Sequence, residues 1–265
     1  MPTDAEELTA ELQAHQLSIV AGTIFDDLVS EENFAHILDL THQICRHLSQ
    51  IPCAQTEEDS GGSSPYLSSP YLVLIDFGCP ERARYAGLSD KAPCLEAERW
   101  QGLADHIKQI SEVAWNEYGV RPVIHPHAGG YIEFADEITR ILDDVPYEVA
   151  GLCLDTGHLY YSGMEPVSWL ARYEERLDYV HFKDVNAEVH ERVLAQEVDF
   201  FTACAQGVMC PIGQGAIDYP AVKQQLDKMD YQGWITIEQE RDPRDVAGSL
   251  QDVAASLHYL RSVGF

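Results

Sequence analysis

Four stretches of this chain run apolar for several residues and then stop at an imidazole or a carboxylate. They are Val123 to His127, the run that ends in Leu154-Asp155-Thr156-Gly157-His158, Tyr179 to Asp184, and Ile235 to Glu240. A short apolar run of this kind reads as a strand buried on both faces, the usual state of strands in a parallel sheet. Ionisable residues at the ends of four such strands narrow the choice to an α/β barrel, whose active sites collect side chains from the C-terminal ends of several strands. A doubly wound nucleotide-binding sheet would carry a glycine-rich turn after its first strand. Gly213-Gln214-Gly215 lies between helical patterns and is not that turn.

The remainder of the chain alternates helix and strand around these runs. Thr3-x-x-Glu6 reads as a capping box for a helix that carries Leu8 and Leu12 and ends near His15, followed by a short strand from Leu17 to Thr23. Ser30 caps a second helix with Phe34, Ile37, Leu38, Thr41, Ile44, Cys45 and Leu48 at helical spacing. Residues 53–69 are rich in Ser, Gly and Pro and read as a surface loop. Then come a strand at Tyr71 to Phe77, a helix at Glu96 to Tyr118 closed by Gly119, a strand at Pro122 to His127 and a helix at Phe134 to Leu142. A strand at Val149 to Asp155, a helix at Pro166 to Arg176, a strand at Leu177 to Phe182 and a helix at Pro220 to Met229 follow. Trp234 to Glu238 and a helix from about Asp245 to Arg261 end the series. Short connections between alternating elements imply right-handed βαβ units and a parallel sheet in one domain over residues 1–265. Only six strand–helix units are found and the chain starts on a helix. An eight-unit barrel therefore lacks its first two strand–helix units here, or sequence upstream of Met1 supplies them.

Composition limits the partners. A formal net charge of -27, from 17 Lys and Arg against 44 Asp and Glu, excludes binding along a nucleic-acid backbone. The acidic N-terminus and the lack of any apolar run near the length of a membrane span predict neither a signal peptide nor a membrane helix. Seven dispersed cysteines without a CxxC pair read as reduced thiols, so a cytoplasmic location is expected.

Side chains alternate along a strand, so Cys153 and Asp155 share a direction, as do His125 and His127, and Glu238 and Glu240. Imidazoles and carboxylates in this mixture suit Mn²⁺, Mg²⁺, Co²⁺ or Zn²⁺. Each residue alone also has an ordinary structural reading: Asp155 as a helix cap, His158 as a hydrogen-bonded loop residue, Glu133 as a first-turn acid, Lys183 as an exposed lysine.

The segments HPHAGGYIE (His125 to Glu133), CLDTGHLYYSG (Cys153 to Gly163), VHFKDV (Val180 to Val185), PIGQGAID (Pro211 to Asp218) and GWITIEQERDP (Gly233 to Pro243) together resemble the sugar phosphate isomerase/epimerase superfamily with the xylose isomerase-like TIM barrel, and within it the inosose dehydratase branch. The resemblance implies one divalent metal, Mn²⁺ first among Mn²⁺, Mg²⁺, Co²⁺ and Zn²⁺. It maps Asp155, His181 and Glu238 onto three ligand positions. For the first position it offers His125, which stands where the epimerase branch carries Glu, or Glu133, the Glu eight residues after the first His in the dehydratase pattern. Glu133 is the expected ligand, with His125, His127, His158 and Glu240 facing substrate. Glu133 or Glu238 would act as the base, and His158 or Lys183 as the second catalytic group.

The activity implied is proton transfer next to a carbonyl on a sugar, sugar phosphate or cyclitol, giving isomerisation or epimerisation. Loss of water from an inosose is the alternative. A different class of reading is a non-catalytic remnant barrel that binds a sugar or a partner, its open sheet edges covered by another chain, and a homo-oligomer is compatible with that.

Overall fold

The structure is a computed structural model that describes residues 5–51, 70–241 and 247–265. The Thr3 end of the capping box and the loop expected at 53–69 lie outside the described residues.

Helix α1 (Ala5–Ala14) leads into strand β1 (Ala21–Asp26), helix α2 (Glu31–Gln50) and strand β2 (Tyr71–Asp76). Ser30 caps α2 through its Oγ, which accepts from Asn33 N at 3.3 Å. After the short α3 (Pro80–Arg84), α4 (Ala97–Tyr118) ends at Gly119 with φ 65°, the left-handed residue expected there. The series continues with β3 (Arg121–Ile124), α5 (Ala135–Asp144), β4 (Gly151–Asp155), α6 (Thr156–Tyr161), α7 (Pro166–Arg172) and β5 (Leu177–Phe182). A short antiparallel pair, β6 (Asp184–Val185) and β7 (Met209–Cys210), encloses helices α8 (Ala187–Ala195) and α9 (Phe200–Ala205). Helix α10 (Tyr219–Lys228), strand β8 (Trp234–Ile237) and helix α11 (Ser249–Ser262) complete the described chain.

Six strands form one parallel sheet in the order β1-β2-β3-β4-β5-β8, as the alternation of elements requires. Among the described residues β1 and β8 each have one strand neighbour. The two faces of the sheet divide the strand residues by parity. Leu72 and Leu74, Ile124, Leu152 and Leu154, and Val180 and Phe182 pack into the large core against the helices. Tyr71, Val73 and Ile75, Val123, Cys153 and Tyr179 form a separate cluster on the opposite face, with Trp234 packed against it. Continuing that second set toward the C-terminal ends places His125, Asp155, His181 and Glu238 on the same interior face. No described helix is long and apolar enough to cross a membrane.

Several boundaries differ from the expectation. The first strand begins at Ala21 rather than Leu17, and the helix after Pro166 stops at Arg172, with a single 3-10 turn over Glu174–Arg176. Helices α3, α6, α8 and α9 are only 5 to 9 residues long. Segments this short do not complete enough turns to show a helical period.

At the N-terminal end of the sheet a buried ion pair ties β3 to β5. Arg121 donates from Nε to Asp178 Oδ2 at 2.7 Å, both side chains being fully buried, and Tyr147 donates its hydroxyl to Asp178 Oδ1 at 2.6 Å. Removing one partner of such a pair leaves an uncompensated charge away from water. Asp178→Ala is expected to cost about 3–5 kcal/mol of stability by that mechanism, read as a lower urea midpoint.

Candidate active site

Asp155 ends β4 and begins α6. Its Oδ1 accepts from His158 N at 2.8 Å and so caps the helix, while Oδ2 is buried without a hydrogen-bond partner. Both readings of this residue therefore hold at once, one on each oxygen. Register pairs Asp155 with His181 across β4 and β5, and His181 Nδ1 lies 3.0 Å from Glu238 Oε1 just past β8. His125 follows β3 and is buried with neither ring nitrogen hydrogen-bonded. One ligand atom from each of His125, Asp155, His181 and Glu238 falls within 4.8 Å of all the others.

Glu133, the expected first ligand, stands outside this group. Its carboxylate accepts from Gly87 N at 2.6 Å, Gly129 N at 2.9 Å and Ser162 Oγ at 2.8 Å, with Arg82 3.5 Å away. Arg82 also holds Glu137 at 2.8 and 2.9 Å. These bonds engage both oxygens of Glu133 in pinning the loop after His127. Arg82 has no signal in the sequence that separates it from a surface arginine.

Lys183 is fully buried at the centre of the acidic groups. Its Nζ lies 3.0 Å from Glu238 Oε2, 3.5 Å from Asp155 Oδ2, 3.5 Å from Glu240 Oε2 and 3.0 Å from His158 Nε2. Burial opposes its charge, but Asp155, Glu240 and Glu238 outweigh burial and hold the ammonium well above the ordinary lysine range. Reciprocally, burial works against ionisation of Glu238, and Lys183 followed by His181 brings its carboxyl well below the usual range. Burial keeps His125 and His158 neutral, far below the ordinary imidazole value. Gly157 has a packing reason to lack a side chain, since a Cβ there would come within 2.8 Å of the Lys183 stem.

A second trio, His127, His158 and Glu240, lies beside the first group. The rings of His127 and His158 are 3.9 Å apart, and His158 Nδ1 accepts from Ala128 N at 3.2 Å. Phe200 of α9 packs against both rings at 5.3 and 5.4 Å, and Phe25, Phe77 and Phe201 form an exposed aromatic cluster next to them. None of these phenylalanines stands out in the sequence, because they come from three distant segments with no shared pattern. Asp184, next to Lys183, accepts from the backbone N–H of Gly213, Gly215 and Ile217 at 2.9, 3.0 and 3.1 Å and so shapes the Pro211 to Asp218 loop.

A parallel sheet whose strand ends gather two imidazoles, two carboxylates and a buried ammonium defines the α/β barrel class, with donors suited to a divalent cation. The chain belongs to the xylose isomerase-like TIM barrel family, whose profile matches residues 1–263. Inosose dehydratase of Geobacillus kaustophilus (strain HTA426) is 39% identical over 149 residues, 56% of this chain and 48% of that protein. The chain spans about half the length of the curated relatives it matches. Among solved structures, the IolI protein with a bound zinc atom superimposes with a TM-score of 0.69 at 15% identity, over 98% of this chain and 81% of that one. The apo form of 3-keto-D-glucoside 4-epimerase, YcjR, from E. coli gives 0.65 at 16% identity, over 97% and 84%. At these identities the structural likeness is one of fold.

Burial raises the Glu133 carboxyl to about 7 against the opposing pull of Arg82 and the Gly129 and Gly87 amides. A carboxyl whose folded value is raised stabilises the protein below its unfolded value, and that contribution fades as pH climbs to the folded value. Relative to Glu133→Gln, which cannot ionise, the wild type should lose on the order of 2–3 kcal/mol between pH 4.5 and 7. Urea midpoints of the two proteins across that range check it.

Proposed function

We propose that this chain carries out divalent-metal-dependent proton transfer next to a carbonyl on a sugar or cyclitol. The observation that carries the reading is the buried convergence of His125, Asp155, His181 and Glu238, with both nitrogens of His125 and Oδ2 of Asp155 left without hydrogen bonds. Orphaned buried donors and acceptors call for an explanation, and a cation answers Asp155 Oδ2 and one nitrogen of His125 at once. The donor set of two imidazoles and two carboxylates fits Mn²⁺, with Mg²⁺, Co²⁺ and Zn²⁺ as alternatives. His125 takes the place that Glu133 was expected to hold. A divalent ion supplies Lewis acidity that polarises a carbonyl and acidifies the neighbouring C–H.

The chain's own residues do the remainder. Glu238, kept ionised beside Lys183, is the base that takes the proton. His158 Nε2 lies 3.0 Å from Lys183 Nζ, and the Lys183 ammonium is the acid that returns a proton. His127 and Glu240 bind substrate hydroxyls, and the rings of Phe25, Phe77 and Phe201 offer an apolar wall for the C–H face of a polyol ring.

The relatives named inosose dehydratase favour a second outcome of the same step. If the returned proton goes to a hydroxyl one carbon beyond, the C–O bond breaks, water leaves and a carbon–carbon double bond forms. The C–H proton then stays on Glu238 until solvent takes it.

The chelated protein, reloaded with Mn²⁺ or Co²⁺, should incorporate solvent deuterium into a ketose or an inosose, and an inosose that also gains unsaturation would identify the dehydratase outcome. Asp155→Asn preserves the helix cap, since Asn caps as well as Asp, yet should weaken metal binding by about 100-fold or more and abolish exchange. No metal-dependent exchange with any ketose or inosose would overturn the proposal.

A further inference from the structure

One cysteine faces the interior directly beneath the ligand group. Cys153 precedes Asp155 by two residues on the same face of β4, which sets it about 6–7 Å deeper along the strand. Register agrees, since Asp155 pairs with His181 while Cys153 pairs with Tyr179 one layer below. Even so, one ligand atom from each of His125, Cys153 and His181 falls within 4.8 Å of the others, and all three residues are buried. The same two imidazoles thus belong to two donor sets. Level with His181 lies the Asp155 carboxylate, with Glu238 beyond it, and one layer below lies a thiol. The two unpartnered nitrogens of His125 are the independent sign that a ligand belongs between these layers.

We infer that the centre discriminates among metals by depth, with thiophilic divalent cations recruiting Cys153 together with His125 and His181. The inference rests on the metal-dependent reading given above. Oxygen-preferring ions such as Mn²⁺ and Mg²⁺ stay in the upper layer. Softer ions such as Cd²⁺, Zn²⁺ and Co²⁺ are drawn to the sulfur, for which thiolate is a preferred ligand. On binding, the S–H bond ionises, the metal–sulfur bond forms and the proton passes to solvent, so one proton is released per ion bound. No oxidant or reductant takes part.

Cobalt reports the sulfur directly. The metal-free protein titrated with Co²⁺ should bind one equivalent and develop an intense near-ultraviolet thiolate-to-cobalt charge-transfer band. Cys153→Ala and Cys153→Ser should still bind Co²⁺ through the oxygen layer, shown by the weak visible d–d bands, but lose the charge-transfer band. Both variants should bind Cd²⁺ at least about 10-fold more weakly and leave Mn²⁺ affinity within about twofold, because only the soft ion uses sulfur. Cobalt bound by the wild type without the band, or Cd²⁺ affinity unchanged in the variants, would overturn the inference while leaving the metal centre intact. A wild type that binds no cobalt would overturn both. Should the variants fail to fold, the wild-type spectrum alone still decides.

Discussion

Carboxylates crowded at the end of a parallel sheet stay ionised away from water only beside a compensating charge, and Lys183 supplies it. Three acids, Asp155, Glu238 and Glu240, converge on one buried ammonium. Asp155 ends β4, Glu238 and Glu240 follow β8, and Lys183 follows β5, so the ion cluster ties the ends of these three strands to one another. Thr156 strengthens the same junction, its Oγ1 accepting from Lys183 N at 3.0 Å. Substituting this lysine would leave three buried acids to repel one another, a heavier consequence than the loss of a surface pair. One network of ion pairs thus holds the carboxylates and the ammonium together.

The strands were legible because burial on both faces imposes composition as well as pattern. Residues such as Leu72, Val73 and Leu74 all had to be apolar, whichever face they met. Once the runs were placed, the period of two located their interior set, and the polar residues that continued it marked the site. That is why Asp155, His181 and Glu238 could be named from the sequence and why the structure brings them together. The first ligand position lacked such support. His125 and Glu133 were both compatible with spacing, and only three-dimensional partners separate them. Glu133 is committed to the Gly87 and Gly129 amides, Ser162 and Arg82, whereas His125 has no hydrogen bond. Those partners come from loops and a five-residue helix whose placement no local periodicity encodes.

The same limit explains the covering layer. Helices α8 and α9 with the β6–β7 pair build a separate small core of Val185, Val193, Phe200 and Met209 over one side of the site. Its sequence shows no long period, because each helix is short and is held by caps such as Asn186 and Asp199 as well as by burial. Phe200 then shapes the His127 and His158 pocket from outside the strands altogether.

Ordering the interior by depth connects these parts. At the bottom, Arg121 and Asp178 close the sheet with a fully buried pair. Above them Tyr71 and Tyr179 stack with ring centroids 4.9 Å apart and exclude water from the middle of the interior face. The thiol of Cys153 is level with Tyr179, His181 and Asp155 share the next layer, and Glu238 and Lys183 lie beyond it. Polarity thus rises toward the C-terminal ends, where the chemistry needs it. A cation entering from that end meets oxygen donors first and sulfur last. Its resting depth is then set by ligand preference against the attraction of the carboxylates, so the sequence order Cys153, Leu154, Asp155 on one strand becomes an ordering of metal affinities along the barrel axis.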